Sequence, residues 1–89
     1  MWVIVCQGDA IGGHQELVGH YLAFFDPDHG HAGEVRWSAA IEDALHFESL
    51  PNVFVVWRTV SITNPLRPDG QPNRPLTAWN IEPRLVEQP

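Results

Sequence analysis

The sequence predicts a small α+β domain, with three or four mostly antiparallel strands and two short helices on one face. Three observations lead there. Trp2-Val3-Ile4-Val5-Cys6 is a β-branched, wholly apolar run halted by Gln7-Gly8-Asp9, the pattern of a strand buried on both faces. Leu50, Val53, Phe54 and Trp57 fall at i, i+3, i+4 and i+7, which places them on one helical face. The chain has 89 residues, too few to divide a hydrophobic core. One compact domain is therefore expected over residues 1–83, with 84–89 as a flexible C-terminal tail.

The remaining elements follow in chain order. Gly8, Gly12 and Gly13 make a flexible return loop that lacks the full glycine fingerprint of a phosphate cradle. A second strand is expected within residues 17–25, where Tyr21-Leu22-Ala23-Phe24-Phe25 is closed by Asp26-Pro27-Asp28. Gly19 inside it marks a bulge or a close backbone approach. After a turn-rich stretch, Glu34-Val35-Arg36-Trp37 alternates polar and apolar, as a strand with one exposed face does. Ser38 then reads as the N-cap of a first helix of about two turns, with Ala39, Ala40, Ile41, Ala44 and Leu45 as its apolar stripe. His46-Phe47-Glu48 is an extended link.

Ser49 caps the second helix, with Pro51 tolerated in its first turn. The β-branched Val53, Val55 and Val56 make a strand the competing assignment there. Residues 61–75 contain four prolines and the turn signal Pro68-Asp69-Gly70, so they form a long loop. Residues 76–81 are the last strand, ended by Pro83. Trp37, Trp57 and Trp79 are the expected aromatic core.

Composition bounds the function. Five basic residues, all arginine, stand against eleven acidic ones, giving a formal charge of −6. A small acidic protein of this kind lacks the dense basic face of a general nucleic-acid or anionic-membrane binder. The single cysteine, Cys6, excludes an internal disulfide framework and fits a reducing compartment. No apolar run approaches the ~20 residues of a membrane helix, and no basic leader precedes Trp2, so no signal peptide is expected.

Three constellations are chemically suggestive. Asp26, Asp28, His29 and His31, followed by Glu34, offer donors of the kind that hold Zn²⁺, and His29 and His31 are the weak metal candidates. Alternate residues of an extended chain point apart, however, and no fixed ligand spacing is matched. The plainer reading is a solvated turn in which Asp26 and Asp28 bond their own backbone. Cys6 sits in an apolar strand where a thiol is inert packing, and no Gly-x-Ser-x-Gly elbow is present. No catalytic residue, cofactor or metal is assigned on these grounds.

The third constellation is Leu66-Arg67-Pro68-Asp69-Gly70-Gln71-Pro72-Asn73-Arg74-Pro75. Its prolines reduce the entropy lost when a loop presents side chains to a partner. Arg67 and Arg74 flank the turn and suit bidentate recognition of a carboxylate or phosphate. With Arg58 on the preceding helix, the candidate partner-binding residues are Arg58, Arg67, Asp69, Asn73 and Arg74. Internal bonding of Asn73 and Arg74 to loop carbonyls, or to an acid such as Asp26, is the competing role. Arg74, next to the last strand, is expected to hold the loop, and Arg67, nearer the turn, to reach outward.

Several stretches carry a resemblance. Gly19-x-Tyr21-Leu22-x-x-Phe25-Asp26-Pro27-Asp28, Gly33-x-Val35-x-Trp37, Ala44-x-x-Phe47 and Trp57-Arg58-Thr59-Val60 are four of them. The most specific is Arg67-Pro68-Asp69-Gly70-x-Pro72-Asn73-Arg74-Pro75-Leu76-Thr77-Ala78, preceded by Pro65-Leu66. Together they resemble small uncharacterised proteins encoded by actinobacterial phages and prophages. That group has no assigned activity, so no catalytic residues transfer. The resemblance implies a compact phage protein made in the bacterial cytoplasm. The expected function is a non-enzymatic accessory role, binding a host or phage protein. The alternatives are a nucleic-acid-associated protein whose arginines meet phosphates while Tyr21 or Trp79 stacks on bases, and a metal-dependent enzyme on the histidine loop. Self-association is compatible with any of them.

Overall fold

The apolar run at the start of the chain becomes the inner strand of a four-stranded sheet. A computed structural model describes residues 1–87. Its strands are β1 (Trp2–Asp9), β2 (Tyr21–Asp26), β3 (Glu34–Ser38) and β4 (Trp79–Leu85), in the spatial order β3-β2-β1-β4 and antiparallel at every pairing. Val3, Ile4, Val5 and Cys6 are all fully buried, so both faces of β1 are covered. The Cys6 Sγ accepts the Gly8 N–H at 3.3 Å, and burial pushes its pKa up. The long pairing of β1 with β4 runs from Trp2 opposite Leu85 to Cys6 opposite Ile81, then slips before Asp9 meets Trp79.

One α-helix, α1 (Leu50–Trp57), lies against the sheet. The helical spacing thus prevails over the β-branched composition. Ser49 caps α1 as expected, its Oγ accepting the Asn52 N–H at 3.3 Å. The inward stripe is Val53, Val56 and Trp57, which meet Ile4, Leu22 and Leu76. Leu50 is exposed and Phe54 lies beneath the Arg58 guanidinium, 5.7 Å from its ring centre. The stripe is therefore rotated from the expected one, taking Val56 inward in place of Leu50. Trp57 adds a bond of its own, its Nε1–H donating to the Trp79 carbonyl at 3.2 Å.

The first of the two expected helices does not form. Only Ile41–Asp43 makes a single 3₁₀ turn. The Ser38 Oγ accepts the Ala40 N–H at 3.1 Å and donates to Asp43 at 2.8 Å, a local turn in place of a cap. The Leu45 N–H then donates to the Leu22 carbonyl at 2.9 Å, and Phe47 exchanges both backbone bonds with Trp2 at 2.7 and 2.8 Å. Those bonds require extended backbone, and two isolated helical turns have too few bonds of their own to compete.

Two strand boundaries also move. Gln15–Leu17 is a 3₁₀ turn, and β2 starts at Tyr21, with Gly19 at φ +89° pairing its N–H to the Cys6 carbonyl at 2.9 Å. Pro75–Ala78 is likewise a 3₁₀ turn, which buries Leu76, and β4 continues through Pro83 to Leu85. Proline is tolerated because β4 is an edge strand, where a missing N–H on the open side costs no ladder bond. Arg84 and Leu85 therefore belong to the sheet and not to a tail, and the Val86 N–H reaches the Met1 carbonyl at 2.8 Å. Residues 88–89 of the expected tail lie outside the described residues. The three tryptophans surround the core of Ile4, Leu22, Val53 and Leu76 and are only partly buried.

Two outcomes follow from this packing. Trp57→Ala should cost about 3 kcal/mol, the lower end for tryptophan deletions because the ring is partly exposed. Trp57→Phe should cost about 1 kcal/mol, chiefly the lost hydrogen bond. Urea unfolding midpoints measure both, and an unshifted Trp57→Ala midpoint would place the ring outside the core. Cys6 should react with a thiol reagent many times more slowly in native protein than in denaturant. Equal rates would mean that β1 is not covered.

Candidate functional site

The segments outside the sheet are held together by side-chain acceptors and donors. Asp28 Oδ1 accepts the Ile62 N–H at 2.6 Å, the Thr63 N–H at 3.2 Å and the Ser61 hydroxyl at 3.1 Å. Those N–H groups, Ile62 first and then Thr63, hold the Asp28 carboxyl below the usual carboxylate range. Asp26 accepts the Asp28 N–H at 3.0 Å, the self-bonded turn expected from the sequence. Asn73, only 7% exposed, closes the other side. Its Nδ2 donates to the His31 carbonyl at 3.0 Å and to the Asn64 carbonyl at 2.8 Å. Its backbone N–H and C=O meet Pro65 and Ser61, both at 2.9 Å.

The proline loop is ordered around these bonds. Arg67 and Gln71 close a small hairpin, with the Arg67 N–H donating to the Gln71 carbonyl at 2.8 Å and the Gly70 N–H donating to the Arg67 carbonyl at 2.9 Å. Gly70 has φ +82°, the left-handed conformation that glycine adopts freely after such a turn. Gly33, at φ +69°, is required for closeness as well: a Cβ there would lie 3.0 Å from both the Asp26 carbonyl oxygen and the Pro75 Cβ.

Between these loops lies an open groove of about 710 Å³. One wall comes from Ala10, Ile11 and His14 after β1, another from the stretch before β3, and the third from the Arg67–Trp79 return. His14 is the only non-glycine residue with positive φ among the described residues, at φ 57° and ψ 39°. Histidine is among the residues that tolerate this conformation best. Its Nδ1 lies 2.7 Å from Asp9 Oδ2, and an ionised carboxylate there requires Nδ1 to carry the proton. Asp9 also accepts the Gly13 N–H at 2.7 Å and the Ile11 N–H at 3.0 Å. The histidine bond first, then the Gly13 N–H, keeps its carboxyl below the usual range. The His14 ring lies tilted at 52° against Trp79 with ring centres 5.1 Å apart, and the Trp79 ring also meets Trp37 edge-on at 5.4 Å.

The structure divides the sequence-predicted site residues. Arg67, Asn73 and Arg74 line the groove; Arg58 and Asp69 do not. Arg58 caps α1 and covers Phe54 and Trp57. Asp69 stands beside Arg67, forming a 3.0 Å ion pair, and accepts the Gln71 N–H at 3.0 Å. The expected roles of the two loop arginines are corrected. Arg67 is held by Asp69, whereas the Arg74 guanidinium makes no hydrogen bond or ion pair among the described residues. Only the Arg74 backbone is engaged, its carbonyl accepting the Thr77 N–H at 3.0 Å and the Thr77 hydroxyl at 2.6 Å. Asn73, one residue earlier, supplies the anchorage expected of Arg74.

His31 lines the groove and His29 does not. No three His, Cys, Asp or Glu side chains converge as a metal site among the described residues. Asp9 and His14 do not announce themselves as a pair, because a loop with Gly12 and Gly13 has no periodic pattern; its one signal is an Asx acceptor ahead of two glycines. No helix among the described residues is long and apolar enough to cross a membrane. No protein-family model, curated protein or solved structure matches the chain.

The carboxylate locks give a signed pH dependence. Asp9 and Asp28 bind protons more weakly in the folded chain than in the unfolded one. Their contribution is complete above the ordinary carboxylate range near pH ~4 and is lost as pH falls through the depressed values. With Glu34, whose carboxyl pKa the Arg36 side chain lowers as well, these groups should contribute to the fall in melting temperature below pH ~4. Asp28→Asn should lose stability at neutral pH while showing a shallower acid slope. An unchanged slope would sink this assignment. Asn73→Ala, which removes the donor to two part-buried carbonyls, should cost about 1–3 kcal/mol in urea unfolding.

Proposed function

We propose that the chain is a non-enzymatic phage or prophage accessory protein that binds a host or phage protein through the arginine-rimmed groove. The observation that carries this reading is the Arg74 guanidinium, without a hydrogen bond or ion pair among the described residues, on a groove whose backbone loops are already tied by hydrogen bonds. A loop fixed in advance loses little entropy on binding, so its contacts count toward affinity. Arg67 and Arg74 form the contact edge, Asn73 anchors it from within, and Asp69 sets the position of Arg67. The resemblance of the Arg67-to-Ala78 stretch to phage and prophage proteins supports the context.

Two features support binding over catalysis. Among the described residues Thr77 is the one hydroxyl side chain lining the groove, and its proton is committed to the Arg74 carbonyl. Asp9 is committed to two backbone N–H groups as well as to His14. The Trp79 ring, with His14 and Trp37 against it, is poorly placed to stack on a base, and Tyr21 is half-buried within β2.

Capture from lysates of an actinobacterial host tests the reading, with tagged wild-type, Arg74→Ala and Arg58→Ala proteins and a nuclease-treated arm. A nuclease-resistant protein partner should be retained by wild type and by Arg58→Ala. It should be lost with Arg74→Ala at an unchanged melting temperature. Retention by Arg74→Ala would remove the groove from the interface, and loss on nuclease treatment would transfer the role to nucleic acid.

A further inference from the structure

We infer that the groove takes an acidic peptide segment, with a ligand carboxylate held between Arg67 and Arg74 and a neighbouring apolar side chain against Ile11. This rests on the protein-binding reading above and names the chemistry of the partner. Charge is the first argument. The chain carries eleven acidic residues against five arginines, yet two of those arginines line this one groove. Among the described residues the only acid in its lining is Asp9, whose oxygens are already occupied by Ile11, Gly13 and His14. With Asp69 beside Arg67, the two arginines are balanced by Asp9 and Asp69, so the groove is near neutral on a chain of −6. Arg74, without an ion pair among the described residues, is the cation at which an anionic segment would be held.

The second argument is that Arg67 already binds a carboxylate. Asp69 sits 3.0 Å from its Nη2, with side chains 56% and 50% exposed. Exposed pairs of this kind contribute little to stability, so exchange for an incoming carboxylate is easy. Asp69 lies outside the groove lining and so acts as an internal competitor, keeping Arg67 oriented until a ligand displaces it. The third argument is the apolar wall. Ile11 is 95% exposed beside Ala10 and Ala78, a pairing of apolar surface and cation that suits a side chain alternating with an acid along an extended peptide.

The test is fluorescence polarisation with a labelled octapeptide of alternating Glu and Leu. Its probes for comparison are the same peptide with Gln for Glu, a phosphoserine version, and a labelled oligothymidylate. The Glu peptide should bind, and the Gln peptide should bind at least about tenfold more weakly, as expected for loss of charge-assisted bonds. Arg74→Ala should weaken the Glu peptide by a similar factor. Asp69→Asn keeps an oxygen for the Gln71 N–H but releases Arg67, and it should tighten binding several-fold. Arg36→Ala, on β3 and outside the groove, should change nothing.

Equal binding of Gln and Glu peptides, weaker binding by Asp69→Asn, or indifference to Arg74→Ala would each overturn the inference. So would preference for the phosphopeptide or the oligothymidylate. If lysate capture depends on Arg74 while the Glu peptide fails to bind, the acidic-peptide inference falls and the protein-binding reading stands. If the Glu peptide binds as described but no protein is captured, the reverse holds.

Discussion

Asp28 and Asn73 hold the part of the chain that has no ladder of its own. More than thirty residues separate Asp28 from Ile62, and a similar span separates His31 from Asn73. Closing loops of that length costs chain entropy that local turns do not recover. One carboxylate oxygen taking two backbone N–H groups and a hydroxyl, together with one buried amide bridging two carbonyls, supplies the missing bonds. Without them the N–H groups of Ile62 and Thr63 would turn to solvent, and residues 61–64 would lose their tie to Asp28.

The same locks determine where the groove is. Asn73 ties the return loop to the stretch before β3, and Gly33 lets Pro75 approach that stretch closely. Pro75 and Leu76 are buried as the chain turns into β4, so the loop is fastened to the core at one end and to Asp28 at the other. Trp79, the first residue of β4, then carries the connection across: its carbonyl takes the Trp57 indole and its ring supports His14. The groove wall from β1 and the helix α1 are thereby coupled through one residue.

Much of this was legible in the residues. A continuous β-branched run announces a strand covered on both sides, because exposure of either face would be unfavourable. Ser49 with Pro51 announces a helix start, because the hydroxyl replaces a missing backbone acceptor and proline lacks an N–H that would be idle there. Pro68-Asp69-Gly70 announces a turn through the φ values those residues accept, though not that Arg67 and Gln71 close it as a hairpin. The lost first helix was not legible, since the bonds that overrode it come from Leu22 and Trp2, distant in sequence. The extent of β4 was missed for a related reason. Whether Pro83 ends a strand depends on which neighbour the strand has, and that is a property of the sheet and not of the local sequence.

The exchange of roles between Asn73 and Arg74 has the same root but a sharper consequence. Position beside a strand suggested that Arg74 would be the anchor, yet a buried anchor between two backbone carbonyls needs donors without a charge to desolvate. An amide meets that need, whereas a guanidinium buried there would require a carboxylate partner to offset its dehydration. Asn73 therefore goes inward and its neighbour outward, leaving the Arg74 side chain on the groove rim with its backbone already fixed by Thr77. The neutral residue bears the structure so that the charged one is left free for a ligand, and adjacency transfers the rigidity of the first to the second.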